Sequence, residues 1–182
     1  SKSYWGAATP HKIWLSISTD SAGSFSPIVR LDNPVAIGTL TNIMVVPAVG
    51  ADGAFYGAYL SWDTSQNPFA RVMCIKSTDG GSTFTPYTVG YPVAGSAVSD
   101  TLYQGSYSLS ANPANTNNLI FQVTDARYGD PDILTIFSND GGVTWSTTPV
   151  RVNDDVTANG VGQDMSWGAY SPNGTYAVAW RD

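Results

Sequence analysis

The chain has 182 residues, 42% of them hydrophobic, enough for one domain with a sizeable core. Charged residues make up only 12%, the net charge is −6 and no Lys/Arg cluster exists, which argues against a phosphate-backbone ligand and leaves nucleic acid out as a partner. The fourteen acidic residues are all Asp, so any mechanism that needs a glutamate from this chain is removed, and no apolar run approaches the ~18 residues of a membrane span.

In chain order, KIWLSI (12–17) reads as a β-strand, STDSAGSF (18–25) as a tight turn, and the residues after Pro27 as a returning strand. NIMVVPAV (42–49) and AFYGAYLSWD (54–63) are joined by the turn GADG. RVMCIK (71–76) follows, and STDGGSTF (77–84) turns it into another strand after Pro86. The same succession then recurs as SYSLSA (106–111), the turn NPANTNN, NLIFQVTD (118–125), ILTIF (133–137), SNDGGVTW (138–145) and a strand after Pro149. MSWGAYS (165–171), PNG and TYAVAWRD (175–182) complete the series. No stretch shows sustained helical periodicity, so the fold class is all-β. Cys74, inside RVMCIK, reads as a small buried hydrophobe and offers no disulfide within the chain. Ser1 opens without a signal-peptide pattern, so any targeting segment is expected to have been removed or to lie outside this sequence.

Asp20, Asp79 and Asp140 stand 59 and 61 residues apart, and a second series, Asp63, Asp125 and Asp182, stands 62 and 57 apart. Each period holds four antiparallel strands and two hairpins, which is the sequence form of a β-propeller blade. The expected division is an outer half-blade at 1–41, complete blades at 42–104 and 105–160, and an inner half-blade at 161–182. Together these make three blade equivalents. Three cannot close a ring, so further blades are expected from a second copy or from the rest of a longer chain, and Trp14, Phe25 and Trp167 should stand exposed.

The motif S-x-D-x-G-x-[ST]-[FW] resembles the Asp-box, or BNR repeat, of sialidases and related propellers. Ser77, Asp79, Gly81, Thr83 and Phe84 match it, as do Ser138, Asp140, Gly142, Thr144 and Trp145. The first copy keeps Ser18, Asp20 and Phe25 but has Ala22 in the glycine position and Gly23 one place later, so its turn is expected to be altered. Physically, the carboxylate can accept turn amides, the glycine permits positive φ and the aromatic ring fills the gap between sheets. The resemblance implies that such boxes lie away from an active-site face. They are read here as structural staples.

Strand alternation then puts candidate binding residues on the opposite loops. In DARYGDPD, Arg127, Tyr128, Asp130 and Asp132 crowd beside Asp125, where an Arg fork could orient a sugar or carboxylate ligand or else tie the loop to its own aspartate. Asp100 and Tyr103 lie on the connection 91–106, and Asp155 and Asp164, with Asn153 and Asp154, on NDDVTANGVGQD. The last group has hard oxygen donors that suit calcium but lacks the D-x-[DN]-x-[DN]-G spacing, and His11 has no His or Cys partners, so no metal or other cofactor is expected. Sialidase chemistry, as the resemblance implies it, needs a Tyr activated by Glu, an Asp acid/base and three arginines. This chain lacks Glu and the F/Y-R-I-P motif and offers only Arg30, Arg71, Arg127, Arg151 and Arg181. Two aspartates, such as Asp130 with Asp155 or Asp164, remain compatible with another glycosidase. The expected function is an extracellular glycan-binding or surface-interaction module, to which the acidic surface and the sequon Asn173-Gly174-Thr175 also point. The alternatives are a fragment of a secreted sialidase or other glycoside hydrolase whose remaining blades carry the catalytic residues, and a structural unit of a surface assembly.

Overall fold

The computed structural model describes residues 13–31, 40–63, 70–93 and 106–182. Among them there is no helix, and therefore none long and apolar enough to cross a membrane. The strands are β1 (Trp14–Leu15), β2 (Val29–Arg30), β3 (Leu40–Val49), β4 (Phe55–Asp63), β5 (Ala70–Ser77), β6 (Thr85–Val93), β7 (Tyr107–Ala111), β8 (Leu119–Asp125), β9 (Asp132–Ser138), β10 (Val150–Arg151), β11 (Asp164–Tyr170) and β12 (Tyr176–Arg181).

They form two four-stranded antiparallel meanders, β3-β4-β5-β6 and β7-β8-β9-β10, and two two-stranded sheets, β1-β2 and β11-β12. Short polar turns set the hairpins. Between β7 and β8, the Asn112 carbonyl oxygen Oδ1 accepts the Ala114 amide at 2.8 Å and the Asn118 carbonyl accepts the Asn112 amide at 2.9 Å. Most strand limits fall within two residues of those read from the sequence. KIWLSI is the exception, with only Trp14–Leu15 in ladder geometry.

Period-2 alternation decides what each strand buries. On β4 and β5, Tyr56, Ala58, Leu60, Val72 and Cys74 face the second meander and meet Tyr107, Leu109, Leu119, Phe121, Leu134 and Ile136 in one core. The intervening residues Tyr59, Met73 and Ile75 face the other way, onto Ile13, Leu15 and Leu31 from the β1-β2 sheet. Each fully buried large apolar side chain contributes about 1.5–3 kcal/mol, and the two interfaces supply most of the core. Cys74 lies inside the first of them, where burial pushes its thiol up to about 12 and leaves it unreactive.

The β11-β12 sheet packs on the far side of the second meander through a polar seam. Ser106 Oγ accepts the Ser166 amide at 2.8 Å, Ser110 Oγ donates to the Gly168 carbonyl at 2.9 Å, and Gln122 bonds Ser166. The alternate residues Met165 and Trp167 point away, and Trp167 is 64% exposed. Trp14 and Phe25 on the opposite flank are also exposed, at 53% and 63%, as expected of sheets with uncovered faces.

Candidate functional site

The three Ser-x-Asp turns share one bonding pattern. Ser77 Oγ donates to Asp79 Oδ1 at 2.8 Å and accepts the Gly81 amide at 2.9 Å, while Asp79 accepts the Thr83 amide at 2.9 Å and the Thr83 hydroxyl at 2.6 Å. Ser138, Asp140, Gly142 and Thr144 repeat every bond. The expected alteration of the first turn is corrected by the structure. Ala22 takes the glycine position at φ 67° and donates its amide to Ser18 Oγ at 2.8 Å, and Ser24 replaces the threonine on Asp20. The side-chain bonds that define the turn outweigh the left-handed cost of one alanine.

These turns are tied to neighbouring sheets. The Trp145 indole donates to the Gly142 carbonyl at 3.0 Å and packs on the core between the meanders, and Lys76 of the adjacent sheet donates to the Gly141 carbonyl at 3.0 Å. Phe84 meets Phe55 edge to face at 6.0 Å and joins the other core. Hydrogen bonds from Ser24 and Ser18 hold the Asp20 carboxyl at about 2, those from Thr83 and Ser77 do the same for Asp79, and Thr144 lowers Asp140. Because these folded values lie below the unfolded value near 3.8, their stabilising effect is complete above about pH 4 and disappears as pH falls toward 2. Thermal melts between pH 6 and pH 2 should therefore show a steep loss below pH 4. In an Asp79→Ala/Asp140→Ala double variant the loss should be shallower, from a lower starting stability. Identical pH slopes in the two proteins would contradict this.

The predicted loop residues gather at the connection of β8 with β9 and at residues 152–163. Asp125 and Asp132 stand directly opposite each other across β8 and β9, and both are fully buried. Opposed like charges are destabilising, so each needs its own cation or donor. Arg127 forks onto Asp125, with Nε to Oδ1 and Nη2 to Oδ2 both at 2.9 Å. Of the two readings left open by the sequence, the structure shows the Arg–Asp pair. Asp132 accepts Arg151 Nε and Asn153 Nδ2, each at 2.7 Å. It is therefore an interior strand residue and not the surface loop residue the sequence suggested.

From Asp132 the network spreads outward. Arg151 Nη2 bonds Asp155 Oδ1 at 2.9 Å and Nη1 bonds the Asp155 carbonyl at 2.6 Å. Asn153 Nδ2 reaches Asp155 at 2.7 Å and Gln163 Oε1 at 3.0 Å, and its Oδ1 accepts the Ile133 amide at 2.9 Å. Gln163 in turn bonds Asp182 at 3.0 Å. Hydrogen bonding by Asn153, with the Arg151 charge, holds the Asp155 carboxyl below the usual carboxylate range. Asp130 clamps the facing loop by accepting the Ala158 amide at 3.2 Å and the Gly160 amide at 2.8 Å. Asp164 opens β11 and pairs with Arg181 at 2.8 and 2.6 Å.

Tyr128 is half exposed beside the Arg127 fork, while Asp100 and Tyr103 lie outside the described residues. The positioning roles of Arg151 and Gln163 were not read from the sequence. The legible signal was Arg151-x-Asn153-x-Asp155, alternate residues that an extended segment presents on one side. Chemically the cluster is a set of carboxylates matched to donors from the same chain. Asp130, Asp155 and Asp164 are each engaged in such bonds. Among the described residues, no group of three or more His, Cys, Asp or Glu is arranged to hold a metal ion.

No protein-family model and no curated protein matches the sequence. Among solved structures, the chain is similar to the Hadza microbial sialidase Hz136, with 19% identity and a TM-score of 0.50 over 74% of this chain and 30% of the other. That likeness shows a sialidase-like fold, of which the chain spans less than a third of the neighbour's length.

Proposed function

We propose that the chain is a section of a sialidase-like Asp-box β-propeller and serves as an extracellular glycan-binding or surface-interaction module. In this reading the two meanders are complete blades, β1-β2 and β11-β12 are half-blades, and the Ser-x-Asp turns are staples. The observation that carries the choice of a binding module over a sialidase is the state of the arginines. Arg127, Arg151 and Arg181 each lie in a carboxylate pair made within the chain, so none of these three is presented as part of a cationic grip on a substrate carboxylate. Tyr128 beside the Arg127–Asp125 fork instead offers a flat apolar face flanked by polar groups, which suits a neutral sugar ring better than an acidic one.

A glycan array followed by calorimetry should find binding to neutral sugars that Tyr128→Ala weakens, and pure protein should release no sialic acid from a fluorogenic substrate. Turnover of that substrate would overturn the non-catalytic reading, and an array without binding would remove the glycan role. A second reading is supported by the 30% coverage of the solved sialidase: the chain is part of a longer glycoside hydrolase. A parental reading frame that supplies a glutamate and an F/Y-R-I-P segment would favour it.

A further inference from the structure

We propose that the β1-β2 sheet of a second copy of this chain completes the sheet begun by β11-β12, so that two chains close on each other through two identical junctions. This interface goes beyond the glycan reading and does not depend on it. Strand order is the first argument. The Ser18 turn follows β1 as the Ser77 turn follows β5 and the Ser138 turn follows β9, so β1 and β2 correspond to third and fourth strands of a meander. β12 leads into Asp182 as β8 ends at Asp125, so β11 and β12 correspond to first and second strands. One chain thus carries both halves of a four-stranded sheet, on opposite sides of two complete ones.

Packing inside the chain shows what such a half does. β1-β2 lies over β5 of the first meander, with Ile13, Leu15 and Leu31 against Met73 and Ile75. The corresponding face of the second meander, toward β11-β12, is covered over β7 and β8 but has an open depression of about 300 Å³ farther out. Ile120, Thr135, Phe137, Val150 and Tyr170 line it, and Phe137 is 40% exposed. β1-β2 has a matching uncovered face with Trp14 and Ile28, and Phe25 stands exposed just beyond its turn. The two apolar surfaces cannot meet within one chain. Three packed layers at about 10 Å each separate them.

The β8-β9 register supplies the alignment. Leu119 pairs with Ser138 and Val123 with Leu134, so the equivalent junction sets Tyr176 against Ser18, Val178 against Ser16 and Trp180 against Trp14 of the second copy. Trp14 then lies over the depression beside Phe137. The open edge of β12 gains a ladder partner, and Met165 and Trp167 are carried onto the partner's first meander next to its own β1-β2. Because the junction is reciprocal, the pair is isologous and closes as six four-stranded sheets.

Light scattering after gel filtration should give twice the 19.3 kDa chain mass at micromolar concentration. Phe137→Arg, at a position already exposed in the single chain, should weaken association by about 30-fold or more, as loss of a central apolar anchor does. A Ser16→Cys/Val178→Cys variant should form covalent dimers with a short bis-maleimide, and neither single variant should do so efficiently because Cys74 is buried. A monomer with a cooperative melt, a larger open oligomer, or a dimer that Phe137→Arg leaves intact and the cysteines do not link would each overturn the proposal.

Discussion

Replacing Asp132 with alanine is expected to lower stability by about 3–5 kcal/mol, because it removes one member of a buried charge pair and leaves the other behind. The Asp132 side chain is fully buried, and it is the acceptor for both Arg151 Nε and Asn153 Nδ2 at 2.7 Å. Without it the guanidinium keeps only Asp155, and Asn153, which holds the Ile133 amide, loses one of the bonds that orient it. The disturbance should reach the 152–163 loop, since Asp155, Asn159 and Gln163 hang from the same network. For a domain whose total stability is about 5–15 kcal/mol, the loss is a third or more. Asp154→Ala is the control, because Asp154 is exposed next to the same network and should change stability by no more than about 0.5 kcal/mol. Urea titrations of the two variants decide the matter. Equal midpoints would mean that the network contributes nothing to folding.

This contrast also marks where sequence reading stopped. The strands of the meanders were legible because their alternation and turn chemistry are local: NLIFQVTD bounded by asparagines can be read without knowing its neighbours. The three repeated turns were legible for the same reason, since every bond in them spans four residues or fewer. The Asp132 cluster depends on β10 pairing with β9, which brings Arg151 to Asp132 across 19 residues, and on the loop that returns Gln163 to Asn153. No local pattern encodes those distances. For Arg127 the residues were right and the orientation was open, because a guanidinium beside several carboxylates can serve a ligand or its own loop, and only the fork geometry onto Asp125 decides.

Alanine in the repeated turns should have three different effects at three equivalent positions, and the reason is what lies next to each. Gly81 and Gly142 have nearly the same backbone, φ 87° and 86°, so an L side chain costs about 1–2 kcal/mol at either. A Cβ on Gly81 would come within 2.1 Å of Ile17 Cδ1, so that side chain must move out of the core between β1-β2 and the first meander, adding about 1–3 kcal/mol. A Cβ on Gly142 meets Tyr56 at 3.5 Å, an ordinary contact that adds nothing. Gly81→Ala should therefore be clearly more destabilising than Gly142→Ala. At the first turn the chain already has alanine, exposed and at φ 67°, so Ala22→Gly should release backbone strain. The added freedom of the unfolded chain offsets about 0.4–1 kcal/mol of that release, which leaves a small gain. Chemical denaturation of the three variants tests the order. If Gly81→Ala and Gly142→Ala lose the same stability, the backbone alone governs these turns and the contact with Ile17 is irrelevant; a larger loss at Gly81 means that the first turn tolerates alanine because its outer face meets no neighbour.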